Sequence, residues 1–326
     1  FRLSSIVWML ASWVSAPSVR VARTVPVMPF DKWYTYAPNW AEWAPSVMLI
    51  VMGPVLGISV AKLYAAAFGP GFLLASLYIV YLLLRCLINP QLGPPVPREE
   101  RVSDAKVLVK EFLAGMLPLA ILIAGTLGSI LGGLATPTEA ASMGAVGSLI
   151  LAAAYRQLNW EKFRTAGIGT LQTSSMVIFL GVASNVFGAV FARLGAADLM
   201  TKSLLALEIS PFLMLLLIMI LIFVLGWPFE WPAIIYLFLP IMMPIVLAMK
   251  YDLVWFGTLV AVNLQTAFLS PPVAMSAYYL KAVVPDWDLG TIYKGMMDFM
   301  ILQVIALLAL MLFPEIATWL PRVLFD

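Results

Sequence analysis

The chain has 326 residues, 63% of them hydrophobic and 11% charged, with a formal net charge of +2. A mean hydropathy of +0.98 places it in a lipid bilayer, with room for roughly eight to ten spans at about 20 residues each. The lack of histidine and the single cysteine, Cys86, exclude a Ser-His-Asp hydrolase, His-liganded zinc, a Cys-rich metal centre and an internal disulfide framework.

No stretch longer than about 25 residues is polar enough for a separate soluble domain. The small net charge is spread over loops, so it speaks for membrane orientation and against nucleic-acid binding. Residues 1–16 are apolar, short and Trp-rich, and carry no small-residue cleavage pattern. Residues 17–43 are irregular, with Arg20, Arg23 and Lys32 among Trp33, Tyr34, Tyr36, Trp40 and Trp43, a mixture suited to a bilayer interface. Val47 to Leu63 is apolar but interrupted by Gly53-Pro54, and Phe68 to Ile88 is an uninterrupted span. Asn89 to Lys110 is Pro-rich and then charged, and reads as an exposed connector.

Two spans follow, Phe112 to Ala135 and Ala140 to Ala154, joined by Thr136-Pro137-Thr138-Glu139. The next loop carries Arg156, Lys162 and Arg164. Gly167 to Phe191 is a span with a polar start that includes Ser174 and Ser175, and with Ser184-Asn185 further on. An apolar run from Pro211 to Val224 leads into Gly226-Trp227-Pro228-Phe229-Glu230-Trp231-Pro232. The run after it, Ala233 to Met249, is interrupted by Pro240 and Pro244, and prolines this dense predict a re-entrant hairpin. Ile292 to Phe313 is the last span.

Between these lies Asn263-Leu264-Gln265-Thr266, followed by Leu269-Ser270-Pro271-Pro272-Val273 with no charge in between. Adjacent prolines break a membrane helix, and freed backbone groups are tolerated only where they face protein or a watery cavity. Broken helices build ion and substrate sites in secondary transporters; a kink or a surface loop is the plainer reading of the same dipeptide. A faint echo of the motif, Trp43-Ala44-Pro45-Ser46, lies 227 residues upstream and hints at two related halves.

Taken together, these residues carry a family resemblance. Gly132-Gly133-Leu134-Ala135-Thr136-Pro137-Thr138-Glu139-Ala140-Ala141 is similar to a signature of the large membrane subunit of tripartite ATP-independent periplasmic (TRAP) transporters. Leu239-Pro240-Ile241-Met242-Met243-Pro244, Val254-Trp255-Phe256-Gly257, Val262-Asn263-Leu264-Gln265-Thr266 and Leu269-Ser270-Pro271-Pro272 resemble that family's second hairpin and discontinuous helix. The resemblance runs over about residues 44–326. It implies an all-α integral membrane protein of the bacterial inner membrane: an inverted-repeat transporter with discontinuous helices and a re-entrant hairpin.

On this reading residues 1–43 are a divergent segment and 44–110 are a remnant of the first repeat with the connector. Residues 111–326 are the second repeat, with the hairpin at about 226–250 and the broken helix at about 254–280. The implied function is sodium-coupled uptake of a small organic acid-type solute, in company with a small membrane subunit and a periplasmic solute-binding protein. A standalone inverted-repeat carrier and a non-transporting structural subunit are the alternatives. Two departures stand out: position 44 is alanine where the family has proline, and Ala274-Met275-Ser276 replaces a glycine-led segment.

Sodium seeks five or six hard oxygens, which an unwound helix offers as carbonyls and hydroxyl or amide side chains. Asn263, Thr266 and Ser270 beside Pro271-Pro272, Gly226 at a hairpin tip and Ser46 at the upstream echo are the candidate ion and substrate residues. The polar residues could equally bond neighbouring helices, and Gly226-Trp227-Pro228 could be a plain turn. Ser174, Ser175, Ser184 and Asn185 are candidate cavity-lining residues. Thr136, Thr138 and Glu139 cap the helix that follows or contact a partner. No cofactor is expected beyond sodium as the coupling ion. Glu230, Lys250 and Asp252 sit at segment ends and no arginine lies mid-span, so an acidic proton relay is not expected.

Two spans separate the basic connector at 98–110 from the basic loop at 156–164, so both belong on the cytoplasmic face, with Thr136–Glu139 opposite. In intact cells a Lys162→Cys variant should resist an impermeant maleimide; labelling from outside would reverse the orientation.

Overall fold

The computed structural model describes residues 45–92, 105–271, 274–284 and 286–325, and all the regular structure there is helical. The divergent segment 1–43, with its interfacial aromatics, lies outside the described residues. The chain forms two compact units, one of residues up to 93 and from 169 on, the other of residues 94–168. These units follow packing, whereas the boundary expected at 110 concerns repeats.

In the unit of residues 94–168, α3 (Ala105–Leu131) and α4 (Pro137–Ala154) form a helical hairpin. A Cβ added at Gly147 would lie 2.5 Å from Leu122 Cδ1, and one at Gly144 3.0 Å from Thr126 Cγ2, which sets an antiparallel register. Gly133 turns the chain at φ +67°, a conformation in which other residues clash, and Leu134 N–H reaches back to the Ser129 carbonyl at 2.9 Å. The ends near Ala105 and Ala154, which carry the basic stretches, therefore lie together.

The other unit opens with α1 (Pro45–Leu56) and α2 (Val60–Ile88). The latter starts before the predicted Phe68 and carries Pro70 within it. From residue 169 on, this unit takes in the greater part of α5 (Trp160–Arg193), a single helix through Gly167, and α6 (Ala196–Leu205) follows. Helices α7 (Pro211–Leu225) and α8 (Trp231–Ala248) are joined by the turn Gly226 to Glu230, and the Tyr251 hydroxyl just after α8 bonds the Pro211 carbonyl at the start of α7, which makes them a hairpin. Then come α9 (Leu253–Ala267), α10 (Met275–Val283), α11 (Leu289–Leu312) and α12 (Glu315–Phe325).

Helix starts follow local chemistry. The Ser210 hydroxyl accepts from Leu213 N–H with Pro211 in the first turn, Asp252 accepts from Val254 and Trp255 N–H at 2.8 and 3.0 Å, and Asp288 accepts from Gly290 N–H at 2.9 Å. In α8 the prolines do not end the helix. A π-turn over Ile234–Phe238, in which Leu239 N–H bonds the Ile234 carbonyl, carries it past Pro240.

Helix α9 is the axis of this unit. Phe256 through Leu264 and Thr266 are buried, and the helix packs against α1, α2, α7, α11 and α12. The indole N–H of Trp255 donates to the Leu310 carbonyl at 2.9 Å, tying it to α11. Gly257 admits α1 and α2 closely, since a Cβ there would lie 2.7 Å from Leu56 Cδ1. Among the described residues, Val60–Ile88, Trp160–Phe191, Trp231–Ala248 and Leu289–Leu312 are long and apolar enough to cross a membrane. Val47–Leu56, Met116–Leu131, Pro211–Leu225 and Leu253–Ala267 are apolar but shorter.

Helices α2 and α12 approach closely at Gly69, where a Cβ would collide with the Ile316 carbonyl oxygen of α12. Gly69→Ala should lower stability by about 1–3 kcal/mol in thermal unfolding, since backbone must move to admit the methyl. Gly71→Ala, with nothing within 4 Å, is the control and should change little. Equal melting of both variants would contradict this packing.

Candidate functional site

Helix α9 stops in the middle of the polar motif. Phe268, Leu269, Ser270 and Pro271 are non-helical and α10 begins only at Met275; Pro272 and Val273 lie outside the described residues. The cause is local. Pro271 has no N–H to give, its ring would collide with the Ala267 carbonyl in a continued helix, and it disfavours helical backbone at Ser270. Leu269 and Ser270 N–H both turn back to the Thr266 carbonyl at 3.0 Å, and Ser276 N–H reaches Phe268 O at 3.3 Å.

Three neutral oxygen-bearing side chains lie along the last turns of α9 and the break, Asn263 toward α7 and Ser270 toward α11. Asn263 is fully buried, and its amide N–H donates to the Met219 carbonyl of α7 at 2.7 Å, while its Oδ1 has no hydrogen-bond partner. The Thr266 hydroxyl donates to Asn263 O at 2.6 Å, and the Ser270 hydroxyl donates to Thr266 O at 2.8 Å, with Met300 Sδ of α11 at 3.1 Å. Each hydroxyl spends its proton on backbone, which leaves oxygen lone pairs as acceptors. A buried amide oxygen without a donor is costly. A hard cation or an ordered water removes that cost.

The hairpin turn meets the break. Gly226 closes α7 with ordinary helical φ, so its lack of a side chain matters for space: a Cβ there would lie 3.0 Å from that of Ala267. Met219 pairs with Asn263 and Gly226 with Ala267, so α7 and α9 run parallel. Their starts are joined as well, because the Tyr251 hydroxyl donates to the Pro211 carbonyl. Each is 15 residues long, about 22 Å at 1.5 Å per residue.

The remaining predicted residues are placed differently. Ser46 lies in the first turn of α1, and its side chain is outside the described residues. Ser174 and Ser175 are exposed on α5, and Asn185, also exposed, returns its amide N–H to Gly181 O at 2.9 Å. Ser184 is buried, one turn from Gly181, where a Cβ would meet the Tyr236 ring of the π-turn at 3.5 Å.

Thr136 and Glu139 form a reciprocal cap on α4. Thr136 N–H and hydroxyl donate to Glu139 Oε2 at 2.7 and 2.8 Å, and Glu139 N–H donates to Thr136 Oγ1 at 3.3 Å. The Thr138 carbonyl accepts from the Ser142 hydroxyl at 3.0 Å. The Thr136 backbone N–H, and then its hydroxyl, hold the Glu139 carboxyl below the usual carboxylate range. The cap is therefore complete at neutral pH and is lost as falling pH protonates the carboxyl.

Sequence reasoning missed two features. Asp298 is a carboxylate inside α11, where no mid-span charge was expected; it accepts from the Tyr81 hydroxyl at 2.5 Å and faces Arg85 at 3.6 Å. Its partners lie over 200 residues away, so no local pattern announces the pairing. Ala274, buried just after the break, adopts φ +26° and ψ 55°, a backbone conformation that favours glycine. The signal was present: this is where alanine replaces the glycine of the resembling family. Ala274→Gly should raise thermal stability by about 1 kcal/mol by relieving that strain. A fall in melting temperature would show that the backbone there is unstrained.

The model of the family described as "Tripartite ATP-independent periplasmic transporter, DctM component" matches residues 43–316. The chain is 30% identical over 283 residues to the sialic acid TRAP transporter permease protein SiaT of Haemophilus influenzae, covering 86% of this chain and 44% of that protein. It is 29% identical over 279 residues to the sialic acid TRAP transporter large permease protein SiaM of Vibrio cholerae, covering 85% and 64%. The C4-dicarboxylate TRAP transporter large permease protein DctM of Pseudomonas aeruginosa is 26% identical over 281 residues, covering 85% and 64%. The chain thus spans 44–64% of the length of these relatives. By the extent of the match, the chain belongs to the DctM-component family of tripartite ATP-independent periplasmic transporters.

Proposed function

We propose that this chain moves a small organic acid-type solute across the membrane with sodium as the coupling ion, as the large permease subunit beside a small membrane subunit and a periplasmic binding protein. The observation that carries the proposal is the buried, unpartnered Oδ1 of Asn263 on the last turns of α9, which also carry Thr266 and lead to Ser270 where α9 breaks against the hairpin tip at Gly226. A set of neutral oxygens fits sodium better than a transition metal.

Depth supports a mid-membrane position. Glu208, Lys250 and Asp252 gather around the starts of α7 and α9, where water is close. From there a helix of about 22 Å ends inside a hydrocarbon core of about 30 Å. That depth supports a re-entrant reading of the hairpin, and ion occupancy at the break would favour its closure. No arginine lies beside the break in sequence, so an anionic solute would be held by hydroxyls, amides and helix N-termini. Relatives named for sialic acid and for C4-dicarboxylates support an acidic solute. The word tripartite in the family description supports the two further components.

The test is uptake of labelled sialic acid and succinate into proteoliposomes. Transport should require an inward sodium gradient and both partners. Asn263→Ala and Thr266→Ala should each raise the half-activating sodium concentration about tenfold, on the order of one lost ligand oxygen, while leaving binding-protein docking intact. Uptake by the chain alone would favour a standalone carrier. Unchanged sodium dependence in both variants would move the ion site elsewhere.

A further inference from the structure

Helix α11 touches the break on one flank and α2 on the other. Its buried line includes Ile292, Met296, Phe299 and Gln303, and the Phe299 ring stands edge-on to Tyr78 and Tyr81 of α2 at 5.1 and 5.6 Å. Asp298 and Met300 flank Phe299 in sequence, about 200° apart around the helix. On the α2 side Asp298 accepts from the Tyr81 hydroxyl at 2.5 Å and faces Arg85 at 3.6 Å, with the guanidinium 5.6 Å from the Tyr81 ring centroid. On the other side Met300 Sδ lies 3.1 Å from the Ser270 hydroxyl.

We infer that Asp298 is a positioning residue for the chain break: its tie to Tyr81 and Arg85 fixes the height and rotation of α11, and with them the place of Met300 against Ser270. The effect on sodium rests on the proposed reading of the break as an ion site; the effect on the position of Ser270 does not. A carboxylate within an apolar helix persists where partners hold it, and here both partners come from one helix. That helix is also the one on which α9 rests, since a Cβ on Gly257 would lie 3.1 Å from Leu63 Cδ2. Helices α9 and α11 therefore share α2 as their footing, α9 through an apolar close approach and α11 through a charged one. Ring packing alone permits sliding, because the Phe299 edge contacts are not directional enough to hold a register. The hydrogen bond and ion pair are directional.

The test uses the assembled transporter with both partners. In a Cys86→Ser background, Ser270→Cys reports the break by its rate of reaction with a membrane-permeant maleimide. Asp298→Ala and Tyr81→Phe should each change that rate about threefold or more and, with Ser270 native, raise the half-activating sodium concentration about three- to tenfold, on the scale of one lost charge-assisted bond. Asp298→Asn still accepts from Tyr81 and should restore most of the parental rate. If Asp298→Ala fails to assemble, Tyr81→Phe carries the test alone. An unchanged labelling rate in Tyr81→Phe overturns the inference, whatever the sodium result. If labelling changes while Thr266→Ala keeps its parental sodium dependence, the ion-site reading fails and the positioning role stands.

Discussion

A proline in the wrong place for a helix governs this molecule. In water, the carbonyls that Pro271 leaves without donors would simply hydrate. Within a packed membrane protein they must be met by other protein groups, by trapped water or by an ion. The Thr266 carbonyl takes on two returning N–H groups and the Ser270 hydroxyl together, and the Asn263 carbonyl takes the Thr266 hydroxyl. Those repairs use up the hydroxyl protons. They leave the hydroxyl oxygens of Thr266 and Ser270 as acceptors, and Asn263 Oδ1 is a buried oxygen with no hydrogen-bond partner.

The surroundings of α9 keep those groups in place without much help from the hydrophobic effect, because lipid tails are as apolar as the side chains they would replace. What remains is close approach and the few polar ties that bridge helices. Gly257 lets α9 rest on α1 and α2, and Gly69 lets α12 lie backbone to side against α2. Trp255 to Leu310, Asn263 to Met219, and Tyr81 with Arg85 to Asp298 fasten α9 and α11 at defined heights. Each tie joins residues far apart in the chain. The hairpin of α7 and α8 has fewer such ties: besides Asn263 to Met219, the Tyr251 hydroxyl holds Pro211 at its open end. Its tip meets α9 through the small pair Gly226 and Ala267.

Much of this was legible where local chemistry decides. Apolar composition placed the chain in the bilayer, Thr-Pro-Thr-Glu wrote its own helix cap, and Ser270-Pro271 marked where helix ends. The prolines of α8 misled, because a proline after a widened π-turn continues a helix, and nothing in Ile234 to Pro240 distinguishes that from a break. Ser174 and Ser184 look alike in sequence, yet one is exposed and the other buried; which face of α5 packs is settled by Gly181 meeting Tyr236, a tertiary fact. Asp298 was passed over for the same reason. Its partners are a tyrosine and an arginine on a helix that the chain reaches over 200 residues earlier.

The central claim is that the break around Ser270, with the tip at Gly226, is an ion site whose occupancy orders both. Hydrogen–deuterium exchange of the assembled transporter, compared in sodium and in potassium at equal ionic strength, reads this directly. Peptides covering residues 263–276 and 224–232 should exchange more slowly in sodium, while those from α11 beyond Gln303 and from α12 stay the same. Equal exchange in the two salts across both segments, in a protein that still transports, would contradict the account.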